Sequence, residues 1–592
     1  MNEEPKSIWK KSWKGTRGLL IWFLLLLFAA SIVFFCIGVI SGIESTVDKL
    51  AAFAVLYAFC FALGGVLLIA FIYWLCCWRN FKRFLFSGAC LATLIALFYA
   101  EEDWRGWHAW QKFKHQWEAK GDKFDWQSVI PPAVPDDQNF ALTPMVASCY
   151  SQVLDKNGHP IQPPNTNVVD RLQMTTVDND YGNGPTNDTG NWQKSAVTDL
   201  KTWQQYYRDV ATKTNEFPVP AQPQSPATDV LLALSKYESA IEELRQSSRL
   251  PYSRFPLNYE SQPPAAILLP HLAAMKRCSQ VLRLRAIAEL QNGQSEKSLD
   301  DIKLSLRLAD SIHTEPFLIS HLVRIAMLQI MLQPVWEGLA EHKWSEAQLA
   351  ELDSELAKLD FLADYEFTMR GERTLEIANI EYLRRTHEFS LVSDSDDGRS
   401  SQPVQNIGFH LMPSAWFYQN ELALARMYRQ WILPPTDVEH QIVSPEAVRR
   451  NETAETSELS HLPFYDVFAR MLFPNLSPAV KKFAYAQTSV NLARVAIALE
   501  RYHLAHGGYP ESLDALAPQF IDKLPHDIIG GQPSQSPGPA NQPLHYRRTA
   551  DDQFVLYSVG WNETDDGGTV GLKKDGRVDV NTGDWVWRYP QK

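Results

Sequence analysis

FLFSGACLATLIALFYAEEDWRGWHAWQKFKHQW, residues 84–117, decides how this chain is read. Its first half, Phe84 to Ala100, holds 17 uncharged and mostly apolar residues. That is the short limit for crossing a hydrocarbon core of about 30 Å. A buried core helix is the rival reading; the Arg79, Lys82 and Arg83 cluster just before the stretch favours a span. At Glu101-Glu102-Asp103 the composition turns polar. Trp104, Trp107, Trp110, Phe113 and Trp117 then follow in steps of three and four, along one side of a helix. Such a stripe reads as an interfacial collar, because tryptophan favours the headgroup layer. It reads equally as an amphipathic helix packed on a domain. Both hold together if Trp104 and Trp107 are the residues nearest the lipid.

Two further uncharged apolar runs lie upstream, Leu19 to Ile43 and Leu50 to Trp78, each long enough to span. The first is too long for the h-region of a signal peptide, no clear cleavage site follows it, and more spans come after. Lys6, Lys10, Lys11, Lys14 and Arg17 precede the first span, and Arg79, Lys82 and Arg83 separate the second from the third. The loop between the first two holds only Lys49, beside Glu44 and Asp48. Positive loops stay cytoplasmic. The expectation is therefore a multi-pass protein of the cell inner membrane, with a cytoplasmic N-terminus and residues 101–592 periplasmic or otherwise extracytoplasmic. None of the spans carries Asp, Glu, Lys, Arg or His, which argues for an anchor and against a pump or transporter.

Residues 1–100 carry nine Lys/Arg and four Asp/Glu, whereas the whole chain is −12, so residues 101–592 carry −17. An exterior part this acidic repels nucleic acid, which needs a basic face. Five of the seven cysteines (Cys36, Cys60, Cys76, Cys77 and Cys90) lie in the spans. Cys149 and Cys278 remain outside, either paired or separately buried.

The fold class expected is mainly α with a small C-terminal α+β module, three N-terminal transmembrane helices and a helical-hairpin exterior domain. Residues 1–100 form the three-helix anchor. Residues 101–227 hold the aromatic helix and an irregular Pro-rich segment, with a short helix near Val197 to Arg208. Residues 228–477 read as an α-hairpin domain: Pro270 to Leu290, Ser295 to Ile312, Pro316 to Leu339 with Pro334 inside, a capping box at Ser345 and Gln348, and Ala363 to His387. Trp416 to Ile432 returns to helix, and Pro434 to Ser460 reads as a polar loop. Residues 478–592 join a long helix, ending at His506, to a β module. Leu544–Tyr546, Phe554–Val559, Val570–Leu572 and Val578–Val580 are its strand candidates.

Leu499, Tyr502, Gly508, Tyr509-Pro510, Leu513, Leu516, Leu524-Pro525, Asp527, Tyr546 and Leu556-Tyr-Ser-Val-Gly560 resemble the globular head of the type II secretion major pseudopilins. The resemblance covers about the last 110 residues and implies a long helix leading into a small sheet, with a C-terminal loop that holds calcium. A pseudopilin helix begins as an N-terminal membrane segment. This one begins near Pro478 beside Lys481 and Lys482, so the resemblance implies the head fold without filament assembly. Over most of residues 101–592 the chain also resembles a group of uncharacterised bacterial membrane-anchored proteins. Pro131–Phe140, Pro223–Pro226, Tyr252–Tyr259 and Asp584–Tyr589 carry that likeness.

No G-x-S-x-G, H-E-x-x-H, Walker A or G-x-G-x-x-G pattern occurs. Asn562, Asp565 and Asp566, beside Gly567-Gly568, occupy the loop where a pseudopilin head holds its ion. Oxygen ligands on a turn suit calcium, and a solvated acidic turn is the alternative. Asp178–Gly182 is a second acidic turn, without the glutamate an EF-hand requires. His503 and His506 lie one helical turn apart, a spacing that suits zinc or copper, but no third ligand is identifiable; the alternative is polar capping of a helix end. Pairing Asp300 with Asp301 as acid and base has nothing to support it. Three function classes follow. The first is a non-enzymatic membrane-tethered scaffold or binding protein of the cell envelope, touching the bilayer and other envelope proteins. The others are an extracytoplasmic hydrolase-type enzyme without a recognisable motif, and an accessory component of a type II secretion or pilus-like system.

Overall fold

A computed structural model describes residues 23, 27, 60, 62–68, 71–72, 74–75, 78–150, 172–177, 184–185, 190–388, 412–461, 464–473, 476–530 and 542–590. The chain divides into two compact units, Met1–Trp104 and Arg105–Lys592. The expected spans Leu19–Ile43 and Leu50–Trp78 lie mostly outside the described residues, as does the acidic turn at 178–182. Helix α1 (Trp78–Glu118) takes in the third expected span and the aromatic stripe without a break. Arg79, Lys82 and Arg83, expected in a loop, lie in its first two turns.

Two described helices are long and apolar enough to cross a membrane, α1 and α7 (Leu318–Ala340). None of the apolar window of α1 is buried, whereas 61% of that of α7 is. Helix α7 is thus a core helix of its unit. The aromatic stripe divides. Trp104 and Trp107 are exposed, Trp110 is buried, and Phe113 and Trp117 pack partly buried against the core. Gly106 permits a close approach here: a Cβ would meet the Ala415 carbonyl oxygen at 2.8 Å.

In the second unit, α2 (Leu200–Ala211) starts at Asp199, whose side chain accepts from the Lys201 and Thr202 N–H groups. Helices α3 (Pro226–Leu234) and α4 (Glu238–Ser247) follow. Helix α5 (His271–Gln291) ends at Gly293, in the left-handed region at φ 75°. Helices α5, α6 (Ser295–Asp310) and α7 pack on one another as successive hairpins. The capping box opens α8 (Glu346–Leu356): the Gln348 N–H donates to Ser345 Oγ and the Ser345 N–H to Gln348 Oε1. Asp360 caps α9 (Phe361–Thr386), and α10 (Ser414–Met427) runs into a single π turn.

The passage expected as a polar loop, Pro434 to Ser460, is ordered instead. It holds a short hairpin, β1 (Thr436–Asp437) with β2 (Ile442–Val443), and then α11 (Pro445–His461). Ser444 Oγ accepts the Ala447 N–H, and Pro445 and Glu446 open the helix. The start signals were in the chain, but the buried apolar residues Ala447 and Val448 lie at its start, and the polar residues that follow hid the period.

Helix α12 (Ser477–His506) is the axis of the unit. Helices α7, α8 and α9 pack against it, and it is buried on every side along most of its length. Hydrophobicity all round is what a central helix requires. Beyond it, β3 (His545–Arg548), β4 (Phe554–Ser558) and β7 (Trp585–Arg588) form an antiparallel sheet in the order β3-β4-β7, while β5 (Val570–Leu572) pairs with β6 (Val578–Gly583). The third strand of the sheet is the Trp585-Val-Trp-Arg run at the chain's end. The Trp336 Nε1–H donates to the Arg588 carbonyl at 3.0 Å, and Trp192 meets Trp587 at 5.2 Å. One continuous core therefore reaches from Trp110 to Tyr589.

Candidate metal centre

Two charged side chains that fold into this core are held by arginines. Asp301, without exposed surface, accepts from Arg285 Nε at 2.9 Å and from Arg245 at 2.8 Å. Asp300, its neighbour in the chain, is exposed. Asp122 accepts from Arg373 at 2.6 Å and Arg370 at 2.7 Å, with Arg429 at 3.5 Å, which ties the segment after α1 to α9. Such pairs cost a great deal to break, because the partner left behind is a buried charge.

A different cluster forms where the α7–α8 link meets the end of α12. Helix α7 stops at Ala340, and the Lys343 N–H closes the turn onto the Gly338 carbonyl at 2.8 Å. Gly338 has to be glycine: a Cβ would stand 2.1 Å from Trp344 Nε1, and the indole packs where it would be. The turn holds His342 in the left-handed region at φ 53°, uncommon for a residue with a Cβ. Backbone strain of that kind clusters at functional sites.

From the other side, α12 presents Glu500 and His503, spaced i and i+3 and so on one face. Glu500 is fully buried, and its Oε1 lies 2.7 Å from His342 Nδ1. The Tyr509 hydroxyl donates to Oε2 at 3.0 Å. The rings of His342 and His503 stack at 4.9 Å, 18° from parallel, and His503 rests against Tyr509 at 4.8 Å. His503 Nδ1 is buried with no hydrogen-bond partner among the described residues. Tyr509 in turn meets Phe554 of β4 edge-on at 4.9 Å. Burial, with the charges of Tyr589 and Glu500, raises the Tyr509 hydroxyl far above its ordinary range, so it stays a donor. One ligand atom each from His342, Glu500 and His503 lies within 4.8 Å of the others, the one such group among the described residues.

The structure gives the two histidines that the sequence set together different neighbours. His506 stacks on Tyr502 at 4.1 Å and places Nδ1 3.0 Å from the Tyr502 carbonyl oxygen. His342 takes its place beside His503. No sequence signal marked His342, which lies on an ordinary-looking interhelical link.

Asn562, Asp565 and Asp566 lie on the β4–β5 connection. The Asn562 amide donates to Asp566 at 2.9 Å, while Asp565 accepts from the Tyr557 hydroxyl at 3.0 Å and the Gly567 N–H at 2.9 Å. Hydrogen bonds from Gly567 and Tyr557 lower the Asp565 carboxyl. Asp584, not singled out in the sequence, organises the loop. It is buried and accepts the N–H groups of Asp566, Gly568 and Thr569. Cys149 and Cys278 are both free thiols, raised by burial to about 11 and about 12.

A cavity of about 10 Å³ beneath Tyr365, Trp431 and Val480, and an open depression lined by Glu452, Thr453, Thr456 and Ser457, both lie away from the histidines. In comparisons with protein-family models, curated proteins and solved structures, nothing matches this chain.

Proposed function

We propose that the chain is a membrane-anchored extracytoplasmic scaffold or binding protein of the cell envelope, in contact with the bilayer and with other envelope proteins. The observation that carries this reading is the division of α1. Its apolar window is wholly exposed, Trp104 and Trp107 follow still exposed, and from Trp110 the same helix enters the core of the second unit. Exposed apolar surface of that extent is stable only against lipid or another protein. Packed helical hairpins offer a broad surface for partners, and the side chains of −17 net charge direct it away from nucleic acid. Helix α12 is enclosed by α7, α8 and α9, which supports a fixed structural role for the pseudopilin-like module in place of filament assembly.

Topology is tested by fusing alkaline phosphatase or a cytoplasm-only fluorescent protein after Lys592. Phosphatase activity with a dark fluorescent fusion is expected. Fluorescence with inactive phosphatase would place the large unit in the cytoplasm and end this reading. Cross-linking in native membranes, followed by identification of the attached proteins, then names the partners.

A further inference from the structure

We propose that His342, Glu500 and His503 bind one divalent transition-metal ion, zinc being the best match to their donor set. Two imidazoles and one carboxylate are the ligand types of an open zinc site, with a fourth position left to water. Nitrogen donors exclude the hard, oxygen-seeking calcium and magnesium ions as natural occupants. Donors at zinc bond lengths lie roughly 3.4 Å apart around a tetrahedron. The ligand atoms here are already within 4.8 Å of one another, so side-chain rotations close the set without moving a helix.

Three further features fit an ion. His503 Nδ1 is buried and makes no hydrogen bond among the described residues, and a bound metal gives such an imidazole its missing partner. Tyr509 donates to the Glu500 oxygen remote from His342, the outer-shell support that fixes a liganding carboxylate. The His342 side chain is 40% exposed while Glu500 is wholly buried, which leaves a route for the ion from solvent. On binding, the His342–Glu500 hydrogen bond is exchanged for metal bonds from a neutral imidazole and a carboxylate; the imidazole keeps one proton, on the ring nitrogen that does not ligate, and any further proton leaves to solvent. The ion would then clip the α7–α8 link to the end of α12, next to the strand β4 that Tyr509 touches.

The test uses the untagged full chain in detergent or nanodiscs, stripped with a chelator. Zinc is added alone and uptake is read by elemental analysis, thermal midpoint and competition with a chromogenic chelator. Cobalt, added separately, reports tetrahedral coordination through its visible d–d bands. One zinc per chain and a raised midpoint are expected, with both lost in His342→Ala and in His503→Ala. Tyr509→Phe keeps the three ligands and is expected to weaken zinc about 10- to 100-fold. His506→Ala, outside the cluster, is expected to bind as the wild type does. No uptake by the wild type, or uptake unchanged in both His342→Ala and His503→Ala, overturns the proposal. Circular dichroism of each variant separates lost ligation from lost fold. None of these readouts depends on the membrane or on a partner, so failure here leaves the scaffold reading standing.

Discussion

His321 shows what burial does to a single residue in this molecule. Its ring is fully buried, with Nε2 3.0 Å from the Glu315 carbonyl oxygen. Burial, reinforced by the Arg324 charge, drops its pKa from the usual 6.5 to about 3. The folded chain thus refuses a proton that the unfolded chain accepts. Its contribution to stability is complete above pH 6.5 and is lost as pH falls, at about 1.4 kcal/mol per pH unit. Glu289 acts in the opposite sense, because burial, with Asp301 beside it, raises its carboxyl. The wild-type slope is therefore a resultant, and a variant has to isolate the histidine. Urea midpoints of the solubilised chain between pH 7.5 and 5 are expected to fall more steeply for the wild type than for His321→Asn. Equal slopes would show that His321 is protonated in the fold. Asp122 is a second case at this scale. Burial raises its carboxyl, but Arg373 and Arg370 outweigh that and hold it low. Asp122→Ala would leave these arginines facing an empty site and is expected to cost about 3–5 kcal/mol, read as a lower denaturant midpoint.

Among the elements, helix ends were the most legible features. Ser345 and Gln348 form both bonds of the capping box, and Ser345→Ala is expected to cost about 1 kcal/mol. A denaturant midpoint unchanged by that substitution would show that tertiary packing alone fixes the start of α8. Helix α11 carried similar signals at Ser444 and Pro445, but a polar surface gave them no apolar period to confirm. The β4–β5 loop poses a separate question, because Asp584 already ties it together through three N–H groups. If Asn562, Asp565 and Asp566 also hold calcium, adding calcium raises the thermal midpoint. That rise disappears in the double variant Asp565→Ala, Asp566→Ala and persists in His503→Ala. Absence of any calcium shift would leave the loop as a solvated acidic turn.

At the scale of the whole molecule, the second unit has one main core, shared by the helical hairpins and the C-terminal sheet, beside a small cluster of Val555, Tyr557 and Val586 on the sheet. Trp587 of β7 is fully buried and faces Trp192, so Trp587→Ala is expected to cost about 3–5 kcal/mol. It should also destabilise the helical part as much as the sheet. Tryptophan fluorescence and far-ultraviolet circular dichroism should accordingly report one coincident transition. Two separated transitions would mean that the sheet folds apart from the array.

Alone, the sequence determined the apolar segment of α1, the polar break at Glu101, the helices from Pro270 to His387 and the long helix ending at Gly507. Each is written in neighbours three or four residues apart, or in a cap a few residues long, and such signals need no knowledge of distant chain. The tertiary structure decided the rest. It turned Trp104 and Trp107 outward and Trp110 inward on one helix, because only the second unit's core could claim the latter. It made a strand of Trp585–Arg588 by supplying β4 as its partner. It also replaced His506 with His342 beside His503, by docking the α7–α8 link against α12. His342 and Glu500 are 158 residues apart. Their meeting depends on how helices pack, and no local period or cap records it.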